Sequence, residues 1–321
     1  MNFQQLRFVR EAVRQNLNLT EVANVLQTSQ SGVSKQIKDL ESELGIQLFI
    51  RRGKRITGLT DAGSGVMDLV ERVLCEKENL CRAADHYACE NEGRLILATT
   101  HTQARYALPD VIQQFCRAFP LVSLALRQGS PAQVAAMVAN GVADIGIATE
   151  ALDRHPGLTT FSAYSWQHAV VVPQEHPLTR VPRPSLADIA RHRIVTYDAE
   201  ISGRAQIDAA FADAGVVPSI ALTATDADVI KTYVKIGLGV GIVSAMAIEP
   251  TAAGELVVLD TPGMFAASTT RIGVRNGAYL RAYGYRMIEM FAPHLTRDVV
   301  DAGMDSGWSD RDTAWPADAA E

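Results

Sequence analysis

The stretch from Asn18 to Arg55 constrains this chain more than any other part of it. It reads NLTEVANVLQTSQSGVSKQIKDLESELG and continues to the basic run Arg51-Arg52-Gly53-Lys54-Arg55. Leu6, Val9, Val13 and Leu17 set a first helix at helical spacing. Asn18, three residues before Glu21, is a capping-box-like start for a second, which buries Leu19, Val22, Ala23 and Leu26. Ala23 is small where two crossing helices must approach. After the polar turn Gln27-Thr28-Ser29, a third helix runs from Gln30 to Leu44 on an apolar stripe of Val33, Ile37, Leu40 and Leu44, and Gly45 stops it. This is a helix-turn-helix, whose last helix must be polar on one side to sit in a major groove.

The side chains expected to meet DNA are Thr28, Ser29, Gln30, Ser31, Ser34, Lys35 and Lys38. Gln and Ser can bond base edges, and Lys can meet phosphate or guanine. Leu48-Phe49-Ile50 should tuck under the module. Arg51, Arg52, Lys54 and Arg55 then form a β-hairpin wing turning at Gly53, placed for backbone or minor-groove contact. Charge agrees. Residues 1–60 hold nine Lys/Arg against five Asp/Glu, while residues 61–321 hold 21 against 31. Only the head is suited to phosphate. The chain starts in an amphipathic helix with no signal peptide, and no apolar run is long enough for a membrane span. Cys75, Cys81, Cys89 and Cys116 lack metal or disulfide spacing and read as reduced thiols of a cytoplasmic protein.

Thr60 caps a long helix to about Cys89, with apolar or small residues at Val66, Val70, Val73, Leu80 and Ala84, close to a 3.5-residue repeat. One seam on a long helix calls for a partner, and homodimerisation is expected. The alternative is packing on its own chain. Beyond Gly93, strand and helix alternate as in α/β construction. Strands are expected at Leu95–Ala98, Val122–Leu126, Ile145–Ala148, Ala169–Val172, Ile194–Tyr197, Ile220–Ala224, Val240–Val243 and Arg271–Val274. Helices are expected at Pro109–Phe119, from Pro131 after a Ser130 cap, and at Leu280–Phe291. Two such units make a cleft, and polar residues gather where its walls should be. Thr99, Thr100, Thr102 and Gln103 follow the first strand. Thr149 ends a later one, and Ser202 and Thr225 sit at helix starts, where Asp226 is a cap.

The head residues Ser29-Gln30-Ser31-Gly32-Val33-Ser34, Leu40-Glu41, Leu44-Gly45, Leu48-Phe49, Arg51-Arg52 and Leu59-Thr60-Asp61-Ala62-Gly63 resemble those of LysR-type transcriptional regulators. Ser31 departs from a common proline. The runs Ala98–Pro109, Gln128–Pro131, Ala148–Leu152 and Thr223–Tyr233 resemble the CysB branch of that family. The resemblance implies an α/β fold with an all-α winged helix-turn-helix head, a long linker helix and a two-lobed effector domain like a periplasmic binding protein. It divides the chain into a DNA-binding domain (1–59), a linker (60–90) and an effector domain (91–297). Lobe I would hold 91–164 and 268–297, lobe II 165–267, and 298–321 would be a disordered tail. It further implies double-stranded DNA, RNA polymerase and a homodimer or homotetramer as partners, and control of cysteine biosynthesis or organosulfur use. Its effectors would be sulfate, thiosulfate, an acetylserine or adenosine phosphosulfate, held by Thr100, Thr102, Gln103, Thr149 and Ser202 with Trp166 at the cleft edge. Asp198 and Glu200 would disfavour a very anionic ligand if they face inward, which leans the reading to the sulfonate-responsive regulators. The alternatives are a LysR-type repressor of an unrelated signal, or a solute-binding or enzymatic α/β protein.

Other signals are discounted. Gly237-Leu238-Gly239-Val240-Gly241 precedes a strand, the wrong order for a dinucleotide loop. The seven histidines show no zinc spacing, and no nucleophile–base set is evident, so neither a metal, a cofactor nor an enzyme is expected.

Overall fold

The computed structural model describes residues 1–53, 55–88, 92–201, 203–248 and 256–306. The chain forms two compact units, Met1–Ala88 with Gly277–Tyr279, and Cys89–Asn276 with Leu280–Glu321.

In the first unit α1 (Phe3–Arg14) starts in a capping box between Asn2 and Gln5. The Asn18 side chain caps α2 (Leu19–Val25), and Ser29 Oγ accepts from Gly32 N at 3.1 Å to start α3 (Gln30–Leu44). Gly45, at φ +70°, ends α3 in the left-handed region that glycine enters without strain. Leu6, Val9, Val22, Val33, Ile37, Leu40 and Leu48 share one core. Strands β1 (Phe49–Arg52) and β2 (Arg55–Leu59) pair antiparallel around Gly53. The Thr60 hydroxyl then accepts from Gly63 N at 2.9 Å and caps α4 (Asp61–Ala88). Gly63 lies against the Leu48 carbonyl so closely that a Cβ would fall 2.0 Å from its oxygen.

Helix α4 corrects the expected seam. Met67, Val70 and Leu74 are buried in the core of their own module, and Val66 packs partly against it. The residues left exposed are Leu69 (50%), Val73 (42%) and Leu80 (72%). On a 3.6-residue period Val73 stands about 60° round the axis from Val70, past the margin of the face that Met67, Val70 and Leu74 bury, and the underside of a small three-helix core needs a cover. Arg10–Glu78 at 3.3 Å and Arg14–Glu71 at 3.4 Å reinforce that packing.

The second unit holds two five-stranded sheets. Along the chain come β3 (Gly93–Thr99), α5 (Pro109–Ala118), β4 (Val122–Gln128), α6 (Pro131–Ala139), β5 (Ile145–Ala148) and β6 (Leu158–Trp166). Then follow β7 (His168–Pro173), α7 (Leu186–Ala190), β8 (Arg193–Tyr197), α8 (Arg204–Asp213), β9 (Ser219–Ala224), α9 (Ala227–Lys235), β10 (Val240–Ser244) and β11 (Leu256–Val258). Last are β12 (Ser268–Arg275), α10 (Ala282–Phe291) and α11 (Arg297–Ser306). The sheet orders are β4-β3-β5-β12-β6 and β11-β7-β10-β8-β9. The chain leaves the first sheet at Gln167 and returns between Val258 and Ser268, giving two lobes joined by two crossings. In each lobe three strands run parallel, β4, β3 and β5 in one and β10, β8 and β9 in the other. Ser130 caps α6 in a capping box with Gln133. The glycine run 237–241 is the turn from α9 into β10.

A mobile tail from residue 298 is the second expectation that changes. Residues Arg297–Ser306 are helical, held by the fully buried Val300 and by Gly303, which packs so closely on Phe161 that a Cβ would lie 2.4 Å from its ring. One apolar anchor among Asp, Ala and Gly gives too little periodicity to see. Trp308 and Trp315 lie outside the described residues. Cys75, Cys81 and Cys116 form no disulfide, and Cys89 also lies outside. Among the described residues no helix is long and apolar enough to cross a membrane.

Candidate functional site

Two surfaces carry the chemistry expected from sequence. On α3 and the turn before it, Thr28, Ser29, Gln30, Ser31, Lys35 and Lys38 are exposed and Ser34 is half-buried. Ser29 is also occupied as the helix cap, its hydroxyl 3.1 Å from that of Ser31. Arg52 and Arg55 are exposed on the wing, and Lys54 lies outside the described residues. Arg51 carries a contact that the sequence did not suggest. Its guanidinium is 3.0 Å from Glu41, a carboxylate only 3% exposed that also accepts from Leu48 N (2.9 Å) and Phe49 N (3.1 Å). Arg51 therefore closes a brace between α3 and the wing. The sequence names Glu41 only as part of the family resemblance, and its contacts give it a role.

The second surface is a cavity of about 800 Å³ between the two lobes. Thr100, Thr102, Gln103, Thr149, Trp166 and Thr225 all line it. Thr99 does not, since it is fully buried and its hydroxyl donates to Ile147 O at 2.8 Å, tying β3 to β5. Ser202 lies outside the described residues.

Gln103 begins a π-helical turn, Gln103–Ala107, with three residues between it and the end of β3. It is 2% exposed, donates from Nε2 to Thr270 Oγ1 (2.8 Å) and accepts at Oε1 from the Tyr164 hydroxyl (2.5 Å). Both ends of its amide are thus fixed. First-turn N–H groups such as those of Thr102 and Gln103 have no acceptor inside their own helix. The floor adds side chains that sequence reading missed. Tyr197 is 2% exposed and accepts from Ser244 N at 3.0 Å, and burial raises its phenol pKa despite a bond with the Thr102 side chain. Ser244, 1% exposed, lines the cavity with no partner for its hydroxyl, and the Trp166 Nε1 is likewise unpartnered. Gln128, Tyr197 and Ser244 are the final residues of β4, β8 and β10. The rule that ligands sit at the carboxyl ends of parallel strands would have found all three.

Behind Trp166, His168 packs between that indole (5.0 Å between centroids) and Phe265 (5.7 Å). Burial lowers its pKa to about 4, so the ring is neutral. Gly203, at φ +82°, covers it, where a Cβ would lie 2.4 Å from His168 Nε2. A polar bridge joins the lobes beside the cavity. Tyr106 donates to Asp228 (2.6 Å) and accepts from Lys231 (2.7 Å), and Arg105 stands 3.3 Å from Asp228.

His101, Asp226 and Asp228 bring ligand atoms within 4.8 Å of one another. They fit a salt-bridged network better than a metal site. Asp226 caps α9 through Val229 N at 2.8 Å, and Asp228 already has Arg105 and Lys231 beside it. The arrangement can enclose a small polar molecule, and no described lining residue is Lys or Arg.

Known proteins show the same plan. The description "Bacterial regulatory helix-turn-helix protein, lysR family" matches residues 3–64, and "LysR substrate binding domain" matches residues 89–296. The HTH-type transcriptional regulator SsuR of Burkholderia cenocepacia is 64% identical over 295 residues, covering 92% of this chain and 96% of that one. The HTH-type transcriptional regulator Cbl of Escherichia coli K12 is 48% identical over 290 residues, 90% of this chain and 92% of that one. The crystal structure of the cofactor-binding domain of the Cbl regulator superposes with a TM-score of 0.64 at 42% identity, covering 66% of this chain and 93% of that one.

Proposed function

Since this chain belongs to the LysR family of bacterial regulatory helix-turn-helix proteins, and is thus a transcription factor and not an enzyme, we propose which genes it controls and how. It regulates sulfur assimilation, with sulfonate or sulfate-ester use favoured over cysteine biosynthesis, and acts as an activator. The observation that carries this reading is the cavity. Its hydroxyl and amide groups at Thr100, Thr102, Gln103 and Thr149 suit a small oxyanion or acetylated serine. The similarity to SsuR and Cbl over nine-tenths of the chain supports the choice of genes.

On DNA, Gln30, Ser31, Ser34, Lys35 and Lys38 read the major groove while Arg52 and Arg55 meet the backbone. The exposed stripe of Leu69, Val73 and Leu80 on α4 is the surface for pairing with a second copy, and two or more heads then span one operator. Effector binding changes the grip on DNA and contact with RNA polymerase, in the cytoplasm.

The test is fluorescence anisotropy with DNA from upstream of the protein's own gene and of sulfonate-use genes. We expect a preference over unrelated DNA of at least about 10³. We also expect a response to one of sulfate, thiosulfate, acetylserine or adenosine phosphosulfate that Thr100→Trp removes without loss of DNA binding. No preference for those promoters would sink the gene assignment. A normal response in Thr100→Trp would remove the cavity from the mechanism.

A further inference from the structure

The two walls of the cavity are electrically unlike. Lobe I supplies hydroxyl and amide groups, Thr100, Thr102, Gln103 and Thr149 at the ends of β3 and β5, with the imidazole of His101 beside Asp226. Lobe II supplies carboxylates, Asp198 and Glu200 just past β8 and Asp226 at the start of α9. No described lining residue is Lys or Arg, and none faces Asp198 and Glu200 as a fixed cation. The cations nearby are engaged elsewhere: Arg204 with Asp208 and the Tyr197 carbonyl, Lys231 and Arg105 with Asp228. Between the walls, Ser244 is 1% exposed and lines the cavity with an unpartnered hydroxyl. A buried polar group without a partner is costly unless a ligand or water completes it. The floor is therefore built for an occupant with hydrogen-bonding groups, and the lobe II wall sets its charge. A dianion would face like charge across the cleft, whereas a molecule with an acid at one end and an ammonium at the other would be complemented at both.

Building on the reading of this cavity as the effector site, we propose that its ligand is a zwitterion, a small amino-sulfonate or amino acid. Its anionic group sits on Thr100, Thr102 and Gln103, and its ammonium faces Asp198 and Glu200. Asp226 adds negative potential from its capping position. The lobe II acids thus select for a free amine.

Two matched pairs of probes test this by calorimetry on the full-length protein at one pH and salt. Taurine and isethionate share a sulfonate and differ by ammonium against hydroxyl. O-acetylserine and N-acetylserine are isomers that differ in whether the amine is free. We expect the amine-bearing member of at least one pair to bind at least tenfold more tightly. That gap should close in Asp198→Asn/Glu200→Gln, a pair of changes at polar positions that spares the Asp226 helix cap and whose folding a melting curve checks. Equal or tighter binding of isethionate and N-acetylserine, or a gap that survives in the double variant, overturns the zwitterion while leaving the cavity as an effector site. Absence of binding by all four probes and by sulfate overturns both readings together.

Discussion

The recognition surface of α3 comes from one continuous stretch of chain, whereas the cavity wall is assembled from seven. On α3 the residues that face outward, such as Gln30 and Lys35, support nothing, and their support stands behind them in Val33, Ile37 and the Glu41–Arg51 brace. In the cavity the lining and the scaffold are the same atoms. Gln103 and Tyr197 face the space and also tie neighbouring elements together. Recognition and stability should therefore separate in the head and stay joined in the cleft.

The largest expected effect sharpens the head side of this contrast. Gly63→Val should cost the head more than about 3 kcal/mol, because the new Cβ meets a backbone oxygen that cannot step aside. Gly65→Ala, where a Cβ meets nothing within 4 Å, should leave it unchanged or stabilise it by up to about 1 kcal/mol. Thermal melts of the two variants check this, and equal melting temperatures would refute the close approach.

Next is acid sensitivity on the cleft side. His168 is neutral when folded, with a pKa of about 4 set by burial against 6.5 when unfolded. The unfolded chain binds the extra proton, so this contribution is whole above pH 6.5 and is lost as pH falls towards 4, about 3 kcal/mol at most. Stability measured from pH 7 to 4 should fall less steeply in His168→Phe. Parallel curves would show that the ring is not held neutral.

Arg51→Ala against Lys35→Ala tests the separation within the head. Arg51→Ala should lower stability by about 2 kcal/mol by leaving Glu41 buried without its cation. Lys35→Ala should leave stability within about 0.5 kcal/mol but weaken DNA binding and reduce the salt slope by about one. If both variants lost only affinity, the brace would be a DNA contact after all. The smallest effect belongs to Tyr106→Phe, which removes the hydroxyl between Asp228 and Lys231 at about 1 kcal/mol. Chemical denaturation reads it, and a change in ligand affinity measured alongside would show how far bridge and cavity are joined.

This contrast also governs what could be read from the amino acids. Helix caps at Asn18, Thr60, Ser130 and Asp226 were legible because each acts within three residues of its own position. So were the parallel strands, as unbroken apolar runs. Strand β6 was missed because Leu158–Trp166 alternates hydroxyl and aromatic residues, with Thr159 and Thr160 buried against Asn276 and Asp153. Six of the eight residues expected at the cavity line it, since they lie at or shortly past strand ends. Thr99 turns its hydroxyl to Ile147 across the sheet instead, and the partners of Gln103, Thr270 and Tyr164, lie 167 and 61 positions away, where no local pattern reaches.

The π-helical winding of Gln103–Ala107 bears on how this segment can change over time. A π-turn fits an extra residue into the rise of an α-helical one. Deleting a residue between Gln103 and Ala107 would restore ordinary winding and remove or displace Arg105 and Tyr106, whose contacts reach Asp228. Insertions would displace them too. The segment is thus fixed in length by the contacts at its two ends, and descendants of this chain can alter its chemistry by substitution while its residue count stays as it is.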